Sequence, residues 1–293
     1  MIPTELIQKV RRIEITTKRV VDSLLGGGYH SAFKGKGMEF SEVRDYVDGD
    51  DIRSIDWNVT ARMGSPYVKK HIEERELTVM LMVDASASGS FGTVDKYKGE
   101  IGVELSALLA FSAIKNNDRV GLIIFSSEVE RYIPPQKGRN HVLYVIRELL
   151  YSKPKHSGTD IDKALEYLNR VQTKKAVVFL VSDFISPSFE TALRVSARRH
   201  DLIACSIHDP RETNFPDVGL VELEDAEQGG TVLVDSGSSA FRMQYEKMMR
   251  QRRDKVTSLF KTNGVDEITV STETEYVEPL VKFFRKRERM MRR

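Results

Sequence analysis

The chain has 293 residues, of which 40% are hydrophobic and 30% charged, and its formal net charge is +2. This composition is typical of a globular protein with a sizeable core, and the charge is too small to indicate a polyanionic partner by itself. The single cysteine, Cys205, excludes an internal disulfide and a cysteine-rich zinc site, and its apolar neighbours predict packing within a strand.

The sequence shows no sign of membrane insertion or secretion. No run reaches the roughly 18 apolar residues that a membrane-spanning helix needs. The start, MIPTELIQKVRRIEI, has neither the apolar core nor the small-residue cleavage site of a secretory signal. We therefore expect a cytoplasmic protein.

The first residues predict a helix followed by a glycine-rich stretch. Apolar residues recur at helical spacing over residues 4–25, and three glycines then end the pattern. The stretch GGGYHSAFKGKGMEF carries Lys34 and Lys36 and could cradle phosphate, but it lacks the spacing of a P-loop. A flexible connecting loop is the favoured interpretation.

Residues 40–76 combine many charges with the only tryptophan, Trp57. The aspartates do not have the spacing of an EF-hand calcium loop, and Asp-Gly-Asp-Asp is typical of a turn. We predict a small appendage that ion pairs hold together, with Trp57 as its apolar anchor. A binding role for its surface is the alternative.

From Leu77 onward, apolar strands alternate with helical segments. Strands are predicted at 77–83, 120–125, 176–182 and 202–207, and helices at about 94–116, 139–151, 160–172 and 188–199. A weaker strand at 128–133 could pair antiparallel at one edge. This alternation predicts an α/β fold, a doubly wound and mostly parallel sheet with helices on both faces.

The regular alternation of strands and helices ends after His208. A β-hairpin insertion is predicted near 220–235, then a helix over 238–262, a strand at 267–271 and a final helix from about 275. The predicted division is therefore an N-terminal helix and appendage packed on the core (1–76), an α/β domain (77–274) and a basic C-terminal helix (275–293).

The strand at 77–83 ends in a cluster of oxygen-bearing side chains. Asp84 closes the strand, and hydroxyls follow at Ser86 and Ser88. Hard cations such as Mg²⁺ prefer oxygen ligands, and the carboxyl ends of strands are where open α/β sheets bind ligands. The pattern predicts a metal-binding edge of the sheet.

Two later segments fall at the same end of the predicted sheet. Thr159 directly precedes a predicted helix, and by itself it favours a helix N-cap. Asp183 closes the strand at 176–182, and by itself it favours a turn. The metal-site interpretation gains weight because all three loops should meet at one edge.

These residues resemble the von Willebrand factor A fold and its metal-ion-dependent adhesion site. That site combines a D-x-S-x-S motif with a threonine and an aspartate from two further loops. The matching residues are Asp84, Ser86, Ser88, Thr159 and Asp183. The resemblance implies that the two serines and the threonine contact the metal, and that the aspartates act largely through water.

The segment GMEFSEVRDYVDGDDIRSIDWNVTARMG is similar to the hallmark of the domain-of-unknown-function 58 family, and the similarity extends over about residues 26–271. The residues that carry it are Arg44, Tyr46, Gly49, Asp50, Arg53, Ile55, Asp56, Trp57, Ala61 and Arg62. One departure is Gly89, which stands where relatives often carry methionine.

The resemblance implies a protein-interaction module rather than an enzyme. The expected cofactor is a divalent cation, Mg²⁺ first and Mn²⁺ or Ca²⁺ as alternatives, with an open position for a partner's Asp or Glu. The expected partner is a MoxR-type AAA+ ATPase, a client protein, or both, in the maturation or assembly of other proteins.

Two other functions stay open. A metal-dependent phosphohydrolase with an aspartyl nucleophile needs a second Asp two residues on as general acid, and Ser86 stands there. The tail KFFRKRERMMRR has seven basic residues and one acidic residue, which suits nucleic acid or an anionic membrane surface. A frayed, solvated helix end is the favoured interpretation of that tail.

Overall fold

Ten strands and nine helices form within residues 4–21, 28–33, 43–52, 55–69, 76–90, 97–224 and 230–291, which the computed structural model describes. The strands are β1 (Val43–Asp45), β2 (Tyr67–Lys69), β3 (Thr78–Asp84), β4 (Arg119–Phe125), β5 (Val129–Gln136), β6 (Val177–Ser182), β7 (Asp201–His208), β8 (Leu220–Glu224), β9 (Thr231–Asp235) and β10 (Asp266–Ser271). The helices are α1 (Thr4–Val20), α2 (Gly28–Phe33), α3 (Trp57–Met63), α4 (Lys98–Lys115), α5 (Arg139–Tyr151), α6 (Ile161–Val171), α7 (Glu190–Arg199), α8 (Ser239–Thr262) and α9 (Val277–Met291). The chain divides into two units, Phe33–Glu76 and the remainder, Met1–Ala32 with Leu77–Arg293.

The larger unit is built on a six-stranded sheet with the order β10-β7-β6-β3-β4-β5. All neighbouring strands are parallel except β4 and β5, which pair antiparallel at one edge. The central strands β3 and β6 are continuous apolar runs with buried side chains on both faces, as parallel strands require. The predicted α/β fold with a mostly parallel sheet is confirmed, and β5 is the predicted antiparallel edge strand.

Helices cover both faces of this sheet. On one face, alternate side chains of β3 and β6 such as Met82 and Leu180 share a core with α6, α7 and Phe260 of α8. On the other face, α4 lies across β3, β4, β6 and β7 and contacts α1 and α5. Gly102 of α4 faces the sheet, where a Cβ would lie in van der Waals contact with Val181 and Ile207 at 3.6 and 3.5 Å.

The predicted hairpin insertion is also present. Strands β8 and β9 pair antiparallel in a separate two-stranded sheet, with Leu220 opposite Asp235. Helix α8 follows, and the Ser238 side chain caps it by accepting a hydrogen bond from the Phe241 N–H.

The smaller unit contains β1 and β2, paired antiparallel, and the short helix α3. The Arg44 guanidinium donates two hydrogen bonds of 2.6 and 2.8 Å to the Asp50 carboxylate, one of the ion pairs that the charge pattern predicts. The Asp56 carboxylate caps α3 by accepting from two backbone N–H groups, those of Asn58 and Val59.

The prediction that Trp57 anchors this appendage is wrong, because its side chain is 67% exposed. Trp57 is the first residue of α3, and none of the seven residues of that helix is buried. One such helix beside two three-residue strands has too few side chains to enclose an indole ring.

The glycine-rich stretch is not a flexible loop throughout, and that prediction is corrected for residues 28–33. These residues form α2, in which Tyr29 is buried. The Tyr29 ring packs edge-on against Phe284, with the ring centroids 5.6 Å apart. Apolar burial therefore outweighs the glycine content there, while Lys34 and Lys36 lie outside the described residues.

The prediction of a frayed, solvated C-terminal helix is wrong for α9. Three apolar side chains at helical spacing are buried, Leu280, Phe283 and Phe284. One turn further along, the Arg287 guanidinium forms ion pairs with Asp201 of β7 and Asp266 of β10. Helix α9 is therefore an amphipathic helix that packs on the core, although its composition is strongly basic.

Within the described part of the chain, no helix combines the length and apolar character that a membrane span requires.

The central strand predicts a sharp contrast between two leucine truncations. Leu81 of β3 is completely buried, so Leu81→Ala should lower the free energy of unfolding by about 2–5 kcal/mol through lost contacts and a cavity. The matched control Leu220→Ala removes a side chain that is 71% exposed and should change stability by no more than about 0.5 kcal/mol. Urea unfolding measures both, and equal midpoints would contradict this core.

Candidate functional site

The predicted site residues lie at the carboxyl ends of β3, β4 and β6. Asp84 is the last residue of β3, and Asp183 directly follows β6, the strand that pairs in parallel with β3. The chain passes from β3 to β4 on one side, and β6 returns on the other side of β3. The crevice between β3 and β6 is therefore the switch point where open α/β sheets bind ligands.

Neighbouring groups hold the Asp84 carboxylate in a fixed orientation. Its Oδ1 accepts a hydrogen bond of 2.9 Å from the Ser86 N–H, and its Oδ2 accepts one of 2.7 Å from the Ser182 hydroxyl. Burial raises the pKa of Asp84 to about 6, and the negative charge of Asp183 adds to that rise. The raised pKa therefore reflects mainly the burial of this carboxyl group and, second, the nearby negative charge of Asp183.

The two hydroxyls of the D-x-S-x-S motif lie side by side. The Ser86 and Ser88 Oγ atoms are 2.9 Å apart, and Ser86 is only 4% exposed. Both lie where a short 3₁₀ turn, Ala87–Ser90, follows β3. Within this turn Gly89 lies against Gly99 of α4. A Cβ on Gly99 would come within 3.1 Å of the Gly89 carbonyl oxygen. This close approach brings the start of α4 next to the hydroxyls.

Asp183 occupies a tightly constrained turn. Its Oδ1 accepts a hydrogen bond of 3.0 Å from the Ile185 N–H. The intervening Phe184 has a φ of 58°, a left-handed conformation that is uncommon for a bulky residue. Packing maintains it, because the buried Phe184 ring lies edge-on to Phe260 at 4.9 Å.

Thr159 is buried in the loop that precedes α6, and this loop is tied to its two neighbours. The N–H of the following residue, Asp160, donates to the carbonyl of Ser126, just beyond β4. The Thr159 carbonyl accepts a hydrogen bond of 3.2 Å from Ser186 in the loop after β6. The loop that carries Thr159 is therefore tied to the loops that follow β4 and β6.

A small pocket of about 30 Å³ joins most of these residues, and that volume exceeds what one water molecule needs. Four of the five predicted site residues line it, namely Asp84, Ser86, Ser88 and Asp183. Thr159 lies in the adjoining loop and does not line the pocket.

Sequence reasoning missed Lys98, which lines the same pocket. Its side chain is 3% exposed, and its Nζ lies 2.7 Å from Asp183 Oδ2 and 2.5 Å from Glu212 Oε1. Burial lowers the pKa of Lys98, but the two carboxylates outweigh burial and raise it above the usual value. Lys98 is therefore a cation built into the site.

A sequence signal for Lys98 existed. Lys98 begins α4 and precedes Ile101, Gly102 and Leu105 at helical spacing, so it continues the buried face of that helix. A lysine at the positive end of a helix dipole is unfavourable unless carboxylates compensate for it. For Glu212, which follows β7, no such local pattern stands out.

The donors present fit a hard divalent cation. Two carboxylates, those of Asp84 and Asp183, line the pocket with the one ammonium group of Lys98, so negative charge is in excess there. No three His, Cys, Asp or Glu side chains of the described residues cluster as metal ligands, so hydroxyls and waters would complete the shell. Magnesium commonly keeps several waters and binds through few protein oxygens.

The sequence comparisons place this chain in a family. The family model "Protein of unknown function DUF58" matches residues 42–255. An uncharacterized protein of Mycobacterium tuberculosis is 32% identical over 288 residues, which are 97% of this chain and 90% of that protein. The uncharacterized protein YeaD of Bacillus subtilis is 28% identical over 109 residues, 37% of this chain and 25% of that protein.

Among solved structures, an aerotolerance-related membrane protein from Bacteroides fragilis aligns with a TM-score of 0.48 and 17% identity, over 73% of this chain and 99% of that one. The hypothetical protein BatB from Bacteroides thetaiotaomicron aligns with a TM-score of 0.46 and 15% identity, over the same shares. These similarities are too low to bear on function. The family match and the mycobacterial relative establish that this chain belongs to the DUF58 family.

Proposed function

We propose that this protein is a metal-dependent protein-interaction module. A divalent cation is proposed to bind at Asp84, Ser86, Ser88, Thr159 and Asp183 and to leave one coordination position for a partner's Asp or Glu. The observation that carries the proposal is the shared pocket of both aspartates and both serines at the switch point of the sheet.

The roles of the protein groups follow from their hydrogen bonds. Both carboxylates are already oriented by protein donors, which suits contact with an ion through water. The adjacent hydroxyls of Ser86 and Ser88 are neutral donors for direct contact. Magnesium is the proposed ion, with manganese or calcium as alternatives, because every donor is an oxygen. Such an ion supplies positive charge that a partner's carboxylate can neutralise.

We also propose that the site is not catalytic. In an aspartyl phosphohydrolase a carboxyl group two residues after the nucleophile acts as general acid, and here that residue is Ser86. The Ser86 hydroxyl contacts Ser88 and does not titrate near neutral pH.

The Ser86 hydroxyl provides a direct test of metal binding. Ser86→Ala should weaken Mg²⁺ and Mn²⁺ binding, measured by isothermal titration calorimetry, by about tenfold or more, because a ligand oxygen is lost. The matched control is Ser106→Ala, since the buried Ser106 hydroxyl of α4 has no hydrogen-bond partner within the described residues and should not affect binding. Undiminished affinity in Ser86→Ala would contradict the proposed site.

The charges of Lys98 and Glu212 give a second test of metal binding, because removing one or the other should change the affinity in opposite directions. Lys98→Met removes a positive charge from the pocket and should raise Mn²⁺ affinity by about tenfold, the effect of about 1.4 kcal/mol. Glu212→Gln removes a negative charge and should lower the affinity. Lys115→Met, at the exposed far end of α4, is the control and should change nothing. If Lys98→Met and Glu212→Gln both lower the Mn²⁺ affinity, the pair of Lys98 and Glu212 has a purely structural role.

The family resemblance supports a MoxR-type AAA+ ATPase or a client protein as the proposed partner. Gel filtration of this protein mixed with such an ATPase from the same genome should give a complex with Mg²⁺ that EDTA dissociates. Asp84→Asn should prevent the complex, while Leu220→Ala, on the exposed hairpin, serves as the control variant. A complex that forms equally well in EDTA would argue against a metal-bridged interface.

A further inference from the structure

A second, larger pocket adjoins the metal-site pocket. Its volume is about 70 Å³, and it shares Asp183 and Ile207 with the first pocket. Its walls are the turn after β6, the end of β7 and one side of α8. The two pockets are therefore neighbours on either side of Asp183 and Ile207.

Helix α8 places two arginines over this second pocket. Four of its residues line the pocket at helical spacing, namely Met249, Arg252, Arg253 and Val256. Such spacing puts them on one stripe of the helix, the stripe that faces the sheet. Where this stripe passes the pocket, its side chains are the exposed guanidinium groups of Arg252 and Arg253 instead of apolar groups.

The acidic groups of the pocket have ion-pair or hydrogen-bond partners inside the protein, whereas the arginines have no ion pair within the described ranges. Asp183 and Glu212 pair with Lys98, and Glu267 accepts a hydrogen bond of 2.8 Å from the Ser206 hydroxyl. Neither arginine has an ion-pair partner among the residues that the structure describes. The two guanidinium groups are therefore the cationic groups that this pocket offers to a ligand.

A partly buried histidine adds an unsatisfied polar atom to the same pocket. His208, the last residue of β7, lines the pocket, and its Nδ1 is buried without a hydrogen-bond partner within the described residues. Burial lowers the pKa of His208 to about 4, and the nearby charge of Arg253 contributes. At neutral pH the ring is neutral, and one tautomer offers an N–H to a ligand.

We propose that this second pocket, the arginine pocket, binds a second carboxylate of an acidic peptide whose first carboxylate lies at the metal-site residues. The inference rests on the proposed function and names its ligand class, a segment with closely spaced Asp or Glu residues. Guanidinium groups bind carboxylates strongly, often through two parallel hydrogen bonds. The apolar wall of Phe184, Ile185 and Met249 suits the methylene groups of such a peptide better than a free phosphate.

The test uses a tri-glutamate peptide with blocked ends, titrated calorimetrically in Mg²⁺. The double variant Arg252→Gln/Arg253→Gln should lose about tenfold or more in peptide affinity, since two charged donors are removed. Arg250→Gln is the matched control, because Arg250 lies on the same helix outside the pocket and pairs with Glu246. A blocked single glutamate should bind more weakly than the tri-peptide and lose little in the double variant.

Three results would overturn the inference: no binding of the tri-glutamate to the wild type, equal affinity in the double variant, or inorganic phosphate displacing the peptide with the same arginine dependence. A Mn²⁺ titration separates this inference from the proposed function. Normal Mn²⁺ binding together with arginine-independent peptide binding overturns only the arginine pocket. Absent Mn²⁺ binding overturns the metal site, and arginine-dependent peptide binding in EDTA would then support the pocket alone.

Discussion

Charge burial at the carboxyl ends of β3 and β6 is the constraint around which the site is arranged. Parallel pairing of these strands brings Asp84 and Asp183 to the same edge, where burial makes both charges costly. The Lys98 ammonium offsets part of this cost through contacts with Asp183 and Glu212. A buried ion pair is weak support for stability in general, so the contribution of Lys98 is to compensate charge at this edge of the sheet.

Several local features follow from that arrangement. Helix α4 begins close to the turn after β3, where Lys98 reaches Asp183, and Gly99 permits this close approach to Gly89. The left-handed Phe184 turns the chain directly after Asp183 and inserts its ring beside Phe260 of α8. The contact between Phe184 and Phe260 also holds Phe184 in the wall of the arginine pocket. Packing, charge and backbone conformation therefore act on one small region.

Much of the fold was predictable because the strands of a parallel sheet are apolar on both faces and leave a simple pattern. The segments 120–125 and 176–182 became β4 and β6 with ends shifted by no more than one residue. The predictions failed where they relied on residue composition instead of the spacing of apolar residues. Trp57 is exposed despite its size, and α9 packs through Phe284 despite its basic composition. The position of Asp84 and Asp183 at one edge of the sheet was predictable from strand order, whereas Lys98 was not recognised.

The sequence by itself determined the order of strands and helices, the hydroxyl and carboxylate types at the strand ends, and the family. Short-range spacing encodes these properties, so a reader of the chain can recover them. Only the tertiary structure decided that Lys98 and Glu212 join the site and that Arg252 and Arg253 lie beside it. Their meeting depends on how α4, α8 and the segment after β7 pack around a twisted sheet, and residues more than 100 positions apart carry no local pattern for such a contact.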